Sequence, residues 1–251
     1  MEMKDSAKES PPQLEAEGCK QFATRLLSLQ INKRFDSKAI SFELDVTADI
    51  HPGITVVFGP SGAGKTTLLE CIAGLLTPTS GRIAIGDQIF FDRSRRVHTD
   101  VRQRRIGYVF QDLALFPHLT VESNIEYGIR SLSRASRDQK AADILDSFRI
   151  SSLRDRKPSE ISGGERQRIA LARSLVTDPR VLLLDEPLTA LDATTKSKII
   201  DDLRSWNRAH GIPILYVTHS REEVFALGDR VLMLDRGRIT ADGPPEAVMP
   251  E

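Results

Sequence analysis

A chain of 251 residues, 40% hydrophobic and 28% charged, has enough apolar material for one large domain without disulfide or metal staples. Its 35 Lys and Arg balance 35 Asp and Glu, and a formal net charge of zero argues against whole-surface binding to nucleic acid. Two cysteines and five scattered histidines make neither a disulfide framework nor a metal-ligand cluster, and this usage fits reducing, cytosolic surroundings.

The first residues, about 1–20, are polar and contain no apolar stretch of signal-peptide length. They are expected to form a disordered extension ahead of a domain spanning 21–251. No run approaches the ~20 apolar residues of a membrane span, so a membrane role would pass through a partner. Phe22–Gln30 and Ile40–Val46 read as strands of an antiparallel edge. The β-branched run Ile54-Thr55-Val56-Val57-Phe58 reads as a buried strand.

That strand runs into Gly59-Pro60-Ser61-Gly62-Ala63-Gly64-Lys65-Thr66, which meets the phosphate-loop pattern G-x-x-x-x-G-K-[ST] at every fixed position. Thr67–Gly74 reads as the helix that must follow. In such a turn, glycines let backbone N–H groups converge on a phosphate, and the helix N-terminus adds about half a positive charge. Lys65 reaches the β- and γ-phosphates, the Thr66 hydroxyl can ligate Mg²⁺, and Thr67 completes the ATP-binding set. The alternative, an accidental Gly-rich turn, would need the strand and helix on either side to be coincidental as well. Cys71 shares helical spacing with Leu68, Ile72 and Leu75 and is expected in the core.

Thr77–Gly81 is a turn, and Arg82–Gly86 with Gln88–Phe91 reads as a short hairpin. Arg93, Arg95, Arg96, Arg102, Arg104 and Arg105 make a mildly basic stretch, read as a solvated loop. Ile106–Phe110 is a further short strand, ending at Gln111. From Leu113 to about Lys157 the apolar period becomes helical, with Ala141, Ile144, Leu145 and Phe148 on one face and Val121, Ile125 and Ile129 on another. Strands return at Val181–Leu184, Ile214–Thr218 and Val231–Leu234, alternating with helices near Arg166–Val176, Thr195–Ala209 and Ser220–Ala226. The fold class is therefore α/β: a phosphate-loop NTPase core with a mostly parallel sheet, an antiparallel β edge and an inserted α-helical subdomain at about 112–165. With one phosphate loop and no internal repeat, the chain is half of any machine that needs two sites.

Val181-Leu182-Leu183-Leu184-Asp185-Glu186 is an aliphatic strand delivering two acids. Asp185 can hold the Mg²⁺ shell, and Glu186 can orient and polarise an attacking water. Without the phosphate loop, the same run would read as a strand meeting solvent. Ile161-Ser162-Gly163-Gly164-Glu165-Arg166-Gln167 opens a helix: Ser162 is an N-cap, and Ser-x-x-Glu is a capping box.

At these residues the chain resembles the ATP-binding-cassette ATPases, whose signature is L-S-G-G-Q. The resemblance covers nearly the whole chain after about residue 22. Its motifs come in the family's order: Gln111 of the Q-loop, Ser162–Glu165, Asp185-Glu186, Thr189-Ala190-Leu191-Asp192 of the D-loop, and Thr218-His219 of the switch histidine. The resemblance implies two cassettes head to tail, with each ATP between one protomer's phosphate loop and its partner's Ser162, Gly163 and Gly164, and with Asp192 at the same interface. It implies that Gln111 joins the Mg²⁺ shell and senses the γ-phosphate, and that His219 reaches that phosphate. The base-stacking aromatic is best matched by Phe35, with Phe42 as the alternative. Ile161 replaces the family's Leu at equal apolar volume, and Glu165 replaces Gln, removing an amide donor near the nucleotide.

Fifty residues lie between Gln111 and Ser162, enough for a small helical lobe and too few for the long coiled coil of chromosome-maintenance relatives. A transport ATPase follows from the resemblance. The lobe would tilt as γ-phosphate is gained or lost, and Leu115, Phe116 and Leu119 would receive a coupling helix from a permease. Gly107–Val121 is similar to bacterial oxyanion importer ATPases, molybdate importers above all, helped by Asn124 and Tyr127-Gly128. Sulfate, iron or polyamine import is the alternative, followed by a non-transport cassette ATPase or a phosphate-loop kinase. The implied partners are a second copy, transmembrane permease subunits and, indirectly, a periplasmic or extracellular solute-binding protein, with no nucleic acid expected. The implied location is the cytoplasmic face of the cell membrane. Molybdate-type ATPases usually continue into a C-terminal regulatory domain; here Gly243-Pro244-Pro245 is followed shortly by Pro250-Glu251, so feedback through such a domain is not expected.

Overall fold

The computed structural model describes residues 26–36, 41–189 and 191–249. The expected extension at 1–20 and Cys19 lie outside that set. In chain order the main elements are β1 (Leu27–Asp36), β2 (Ser41–Ile50), β3 (Gly53–Phe58), α1 (Lys65–Ala73), β4 (Ser80–Ile85), β5 (Gln88–Asp92), β6 (Val97–His98) and α2 (Val101–Arg104). There follow β7 (Ile106–Val109), α3 (Val121–Glu126), α4 (Arg134–Ser147), α5 (Gly163–Leu175), β8 (Val181–Asp185) and α6 (Ala193–His210). The last are β9 (Pro213–Thr218), α7 (Arg221–Leu227), β10 (Arg230–Asp235), β11 (Arg238–Gly243) and α8 (Pro245–Val248).

The strands form one sheet in the order β6-β5-β4-β1-β2-β11-β10-β3-β9-β8-β7. From β10 to β7 every pairing is parallel; β1, β2, β4, β5 and β6 form the antiparallel edge. β8 and β9 are buried along their whole length, as strands covered on both faces must be. Their side chains alternate between two cores. Leu182, Leu184, Ile214 and Tyr216 face the layer of α3–α7, while Val181, Leu183, Leu215 and Val217 face α1 and the antiparallel strands. Cys71 is fully buried in the second core, and burial pushes its thiol up to about 12, which makes it inert.

Four readings need correction or extension. The first strand runs Leu27–Asp36, further on than Phe22–Gln30, because its ladder with β2 continues to Asp36 opposite Ser41; residues 22–25 lie outside the described set. The segment 113–120 is an irregular loop rather than helix, with Leu113 and Ala114 at positive φ (61° and 44°). A further strand, β11, pairs antiparallel to β10 beyond the Arg236-Gly237 turn.

The basic stretch at 93–105 is no simple solvated loop. It contains β6 and α2, and Arg104 is 0% exposed. Arg104 Nη1 donates to the carbonyls of Cys71 (3.2 Å) and Ile72 (2.7 Å), and Nε donates to Thr99 O (3.1 Å). The guanidinium thereby reaches the Ile72 carbonyl and adds a second donor to Cys71 O, which the Gly74 N–H also meets at 3.2 Å. Gly74 is required there: its φ is +86°, and a Cβ would lie 2.6 Å from Arg104 Cζ. Arg104→Ala should lower the unfolding free energy by about 2–4 kcal/mol in urea titration, since it removes the donor to the Ile72 carbonyl and leaves a cavity. A change below ~0.5 kcal/mol would contradict this role.

Candidate nucleotide-binding site

β3, β9 and β8 are adjacent parallel strands, so their carboxyl ends bring three loops together at one edge of the sheet. β3 delivers residues 59–66, β8 delivers Asp185-Glu186, and β9 delivers Thr218-His219.

In the first loop, Gly62 and Gly64 take positive φ (79° and 102°), a conformation that costs little only without a side chain. A Cβ on Gly59 would strike Leu234 O at 2.0 Å, while one on Gly62 would meet nothing within 4 Å. The loop therefore rests on β10 and is bare on the other side. Gly237 N donates to Ala63 O (2.9 Å), so the β10–β11 turn supports it from below. α1 begins without a side-chain cap. Its first N–H groups and dipole thus remain available to an anion, which is what a phosphate requires. Lys65 is 6% exposed, and its ammonium donates to Gly59 O (2.8 Å) and Pro60 O (2.9 Å) within the loop.

Beside it, Asp185 is 6% exposed. Burial raises its pKa above the usual carboxylate range, opposed by a hydrogen bond from Thr66. Tyr108 OH lies 3.4 Å from Asp185 Oδ2, and its ring stacks 4.2 Å from Phe110. The sequence alone does not mark Tyr108 as part of this site; its register on β7 beside β8 places it here. Glu186 holds φ +45°, a strained backbone for a non-glycine residue, costing on the order of 1–3 kcal/mol. Its N–H donates to Val217 O (3.1 Å) and its carbonyl accepts from Thr189 Oγ1 (2.9 Å), which hold the strained turn. Its carboxylate Oε2 lies 3.1 Å from His219 Nδ1. Asp185, Glu186 and His219 thus converge with Lys65 and Thr66. Gln111 follows β7 on an exposed turn next to this edge.

The two aromatic candidates differ in surroundings. They oppose each other across β1 and β2, with ring centroids 6.2 Å apart. Phe42 is half-buried and packs under the loop, where a Cβ on Gly64 would come within 2.8 Å of its Cζ. Phe35 is 37% exposed, with Lys33 Nζ 5.1 Å from its ring centroid. Phe35 is thus the more exposed of the two rings.

Ser162 caps α5. Its Oγ accepts from Glu165 N (3.4 Å), and Glu165 Oε2 accepts from both Ser162 N and Ser162 Oγ (2.7 Å each). These bonds hold the Glu165 carboxyl below its ordinary range and commit it to its own helix. Gly164 lets α6 approach: a Cβ there would meet Thr195 Cγ2 at 2.4 Å. Ser162–Glu165 and Leu191, Asp192 and Thr195 line a cleft of about 410 Å³. Both helices aim their N-termini at that end, α6 being capped by Asp192 Oδ1 on Thr195 N (3.0 Å). Among the described residues lining it there is none from the phosphate loop. The chain therefore presents two separate faces at helix N-termini.

The loop at 113–120 is clamped from two sides. The buried Asn124 accepts from Phe116 N (2.9 Å) and donates to the carbonyls of Phe116, Leu119 and Thr120. Arg173 on α5 donates to the carbonyls of Leu113 and Ala114. Leu115, Phe116 and Leu119 are half-buried, and Phe116 packs 4.5 Å from Tyr127, itself 47% exposed. An aromatic patch thus lies a few residues beyond Gln111.

The donor set at the first face suits a nucleoside triphosphate with a hard divalent cation: bare N–H groups, one ammonium, a hydroxyl and carboxylates. Comparison with known proteins agrees. The ABC transporter family model matches residues 44–189. The molybdenum import ATP-binding protein ModC of Paramagnetospirillum magneticum is 42% identical over 208 residues, 83% of this chain and 57% of the relative. ModC of Pseudomonas fluorescens is 46% identical over 218 residues, 87% of this chain and 60% of the relative. The chain thus spans a little over half the length of these curated relatives. Among solved structures, the dimeric structure of the bacterial ABC transporter cassette MJ0796 superposes with a TM-score of 0.75 at 29% identity, covering 88% of this chain and 98% of that one. A dimeric post-hydrolysis state of the same cassette, bound to ADP and Pi, gives a TM-score of 0.73 at 29% identity over 88% and 98% of the two chains. Among the described residues no helix is long and apolar enough to cross a membrane.

Proposed function

This chain belongs to the ABC transporter family, and we propose that it is the ATP-hydrolysing subunit of an importer for molybdate or a closely related oxyanion. In this reading residues 21–251 act as one cassette with 112–165 as its helical lobe, bound through permease subunits to the cytoplasmic face of the membrane. The observation that carries the ATPase reading is the convergence of Lys65, Asp185, Glu186 and His219 at the ends of three adjacent parallel strands, with Glu186 and His219 in contact at 3.1 Å. The solute is suggested by the ModC relatives.

The chain's own residues divide the work. The N–H groups of residues 61–67 bind the phosphates, and Phe35 stacks on the base. Lys65 exchanges its two loop carbonyls for β- and γ-phosphate oxygens. Thr66, Asp185 and Gln111 would hold Mg²⁺, which would supply neutralisation of phosphate charge. Glu186 orients the attacking water and takes its proton, and His219 holds the γ-phosphate end of the site. Ser162, Gly163 and Gly164 of a second copy, with Asp192 beside them, close over that phosphate from the other face. The dimeric relative supports this pairing. Gain and loss of the γ-phosphate at Gln111 then moves the lobe and the aromatic patch around Phe116 against a permease.

The test is ATP turnover in vesicles that hold this chain, its permease and the cognate solute-binding protein. Molybdate should stimulate phosphate release at least severalfold over polyamine or ferric iron. Stimulation by one of those instead would reassign the solute, and absence of any ATP turnover would overturn the ATPase reading itself.

A further inference from the structure

Among the described residues two Ser-x-x-Glu sequences cap helices, and they resolve differently. At α5 the Glu165 carboxylate returns to the Ser162 N–H, the reciprocal bond of a capping box. At α7, Ser220 Oγ accepts from Glu223 N (3.3 Å), but the Ser220 N–H donates to Thr218 Oγ1 instead (3.1 Å). The Glu223 carboxylate is released from the cap and turned inward, where the residue is 4% exposed. Its Oε2 accepts from Thr218 Oγ1 (2.8 Å) and Tyr216 OH (2.9 Å), and its Oε1 accepts from Lys196 Nζ (2.9 Å). A buried carboxylate with three donors is a fully satisfied network, and such networks hold one geometry.

We infer that Glu223 is a positioning residue: through Thr218 it sets the His219 turn, and through Lys196 it ties that turn to the first turn of α6. Thr218 immediately precedes His219, and its hydroxyl donates to Glu223 while accepting from Ser220 N. Both neighbours of His219 are thereby held by one hydroxyl whose orientation the Glu223 carboxylate dictates. Lys196 lies one turn after Asp192, the N-cap of α6 and a residue lining the cleft between the N-termini of α5 and α6. The bridge from β9 through Glu223 to Lys196 therefore connects the catalytic edge of the chain to the face it offers a partner. A switch histidine displaced by an ångström loses much of its effect on the reacting phosphate. The inference rests on the ATPase reading of this site.

The experiment is steady-state ATP hydrolysis by the full chain carrying Thr218→Val, Thr218→Ser or Glu223→Gln, with melting temperatures for each. Thr218→Val keeps the shape and removes the hydroxyl; Glu223→Gln keeps the shape and removes the charge that Lys196 meets. Both should lower kcat on the order of tenfold or more with KM for ATP within about twofold, and Thr218→Ser should turn over like the wild type. Turnover of Thr218→Val and Glu223→Gln within about twofold of wild type would overturn the inference. So would a parallel loss of kcat, ATP affinity and melting temperature that Thr218→Ser shares, since that describes general loosening. A wild-type chain with no turnover would overturn the ATPase reading and this inference together.

Discussion

Lys65→Ala is expected to reduce ATP hydrolysis by a factor on the order of 10² to 10³ or more while leaving the fold intact. The Lys65 ammonium is the cation that the chain keeps at the loop, parked 2.8 and 2.9 Å from the carbonyls of Gly59 and Pro60. Charge develops on the phosphate oxygens as the terminal group transfers, and a preorganised cation there contributes roughly 3–4 kcal/mol. The backbone does not need the side chain, because Ala is a better helix former at the start of α1. The loop shape also survives, being set by Gly62, Gly64 and the support of Gly237. Phosphate release measured beside circular dichroism separates the two effects. A folded variant that turns over within tenfold of wild type would contradict the assignment.

Glu186→Gln should spare binding: nucleotide affinity stays within about threefold while hydrolysis falls by roughly 10² to 10⁴, the range for losing a general base. The amide matches the carboxylate in size and faces the same left-handed backbone at φ +45°, so the turn held by Val217 and Thr189 is retained. Only the capacity to take a proton from water is lost. Equilibrium binding of a labelled nucleotide and a single-turnover assay on the same protein check both halves. Unchanged turnover would remove Glu186 from the role of base.

The catalytic edge is legible in the sequence because it is built from local patterns. A β-branched run before Gly59, an aliphatic run before Asp185 and another before His219 are each a buried strand ending at a polar turn, and parallel strands put such ends together. The Ser162 capping box is equally local, and it forms. What the sequence hides depends on contacts between distant residues. Arg104 reads as one of six surface arginines, yet the carbonyls of Cys71 and Ile72 more than thirty positions away bury it. Nothing in Ser220-Arg221-Glu222-Glu223 shows that Thr218 takes the N–H the cap would use, turning Glu223 inward. The strain at Glu186 and the partnership of Tyr108 with Asp185 likewise belong to the assembled sheet. β11 was within reach of sequence reading, since Arg236-Gly237 is a turn signal after an apolar strand.

The central claim is that one nucleotide needs two copies of this chain, Lys65 from one and Ser162 from the other. Mixed dimers decide it: one protomer carries Lys65→Ala, the other Ser162→Arg, and both carry Glu186→Gln so that ATP is held without turnover. If the faces serve one nucleotide across the interface, one composite site has both lesions and the other has none. Trapped ATP should then be near one per mixed dimer. If each chain completes its own site, both sites are damaged and trapped ATP should be near zero, which would contradict the shared-site account.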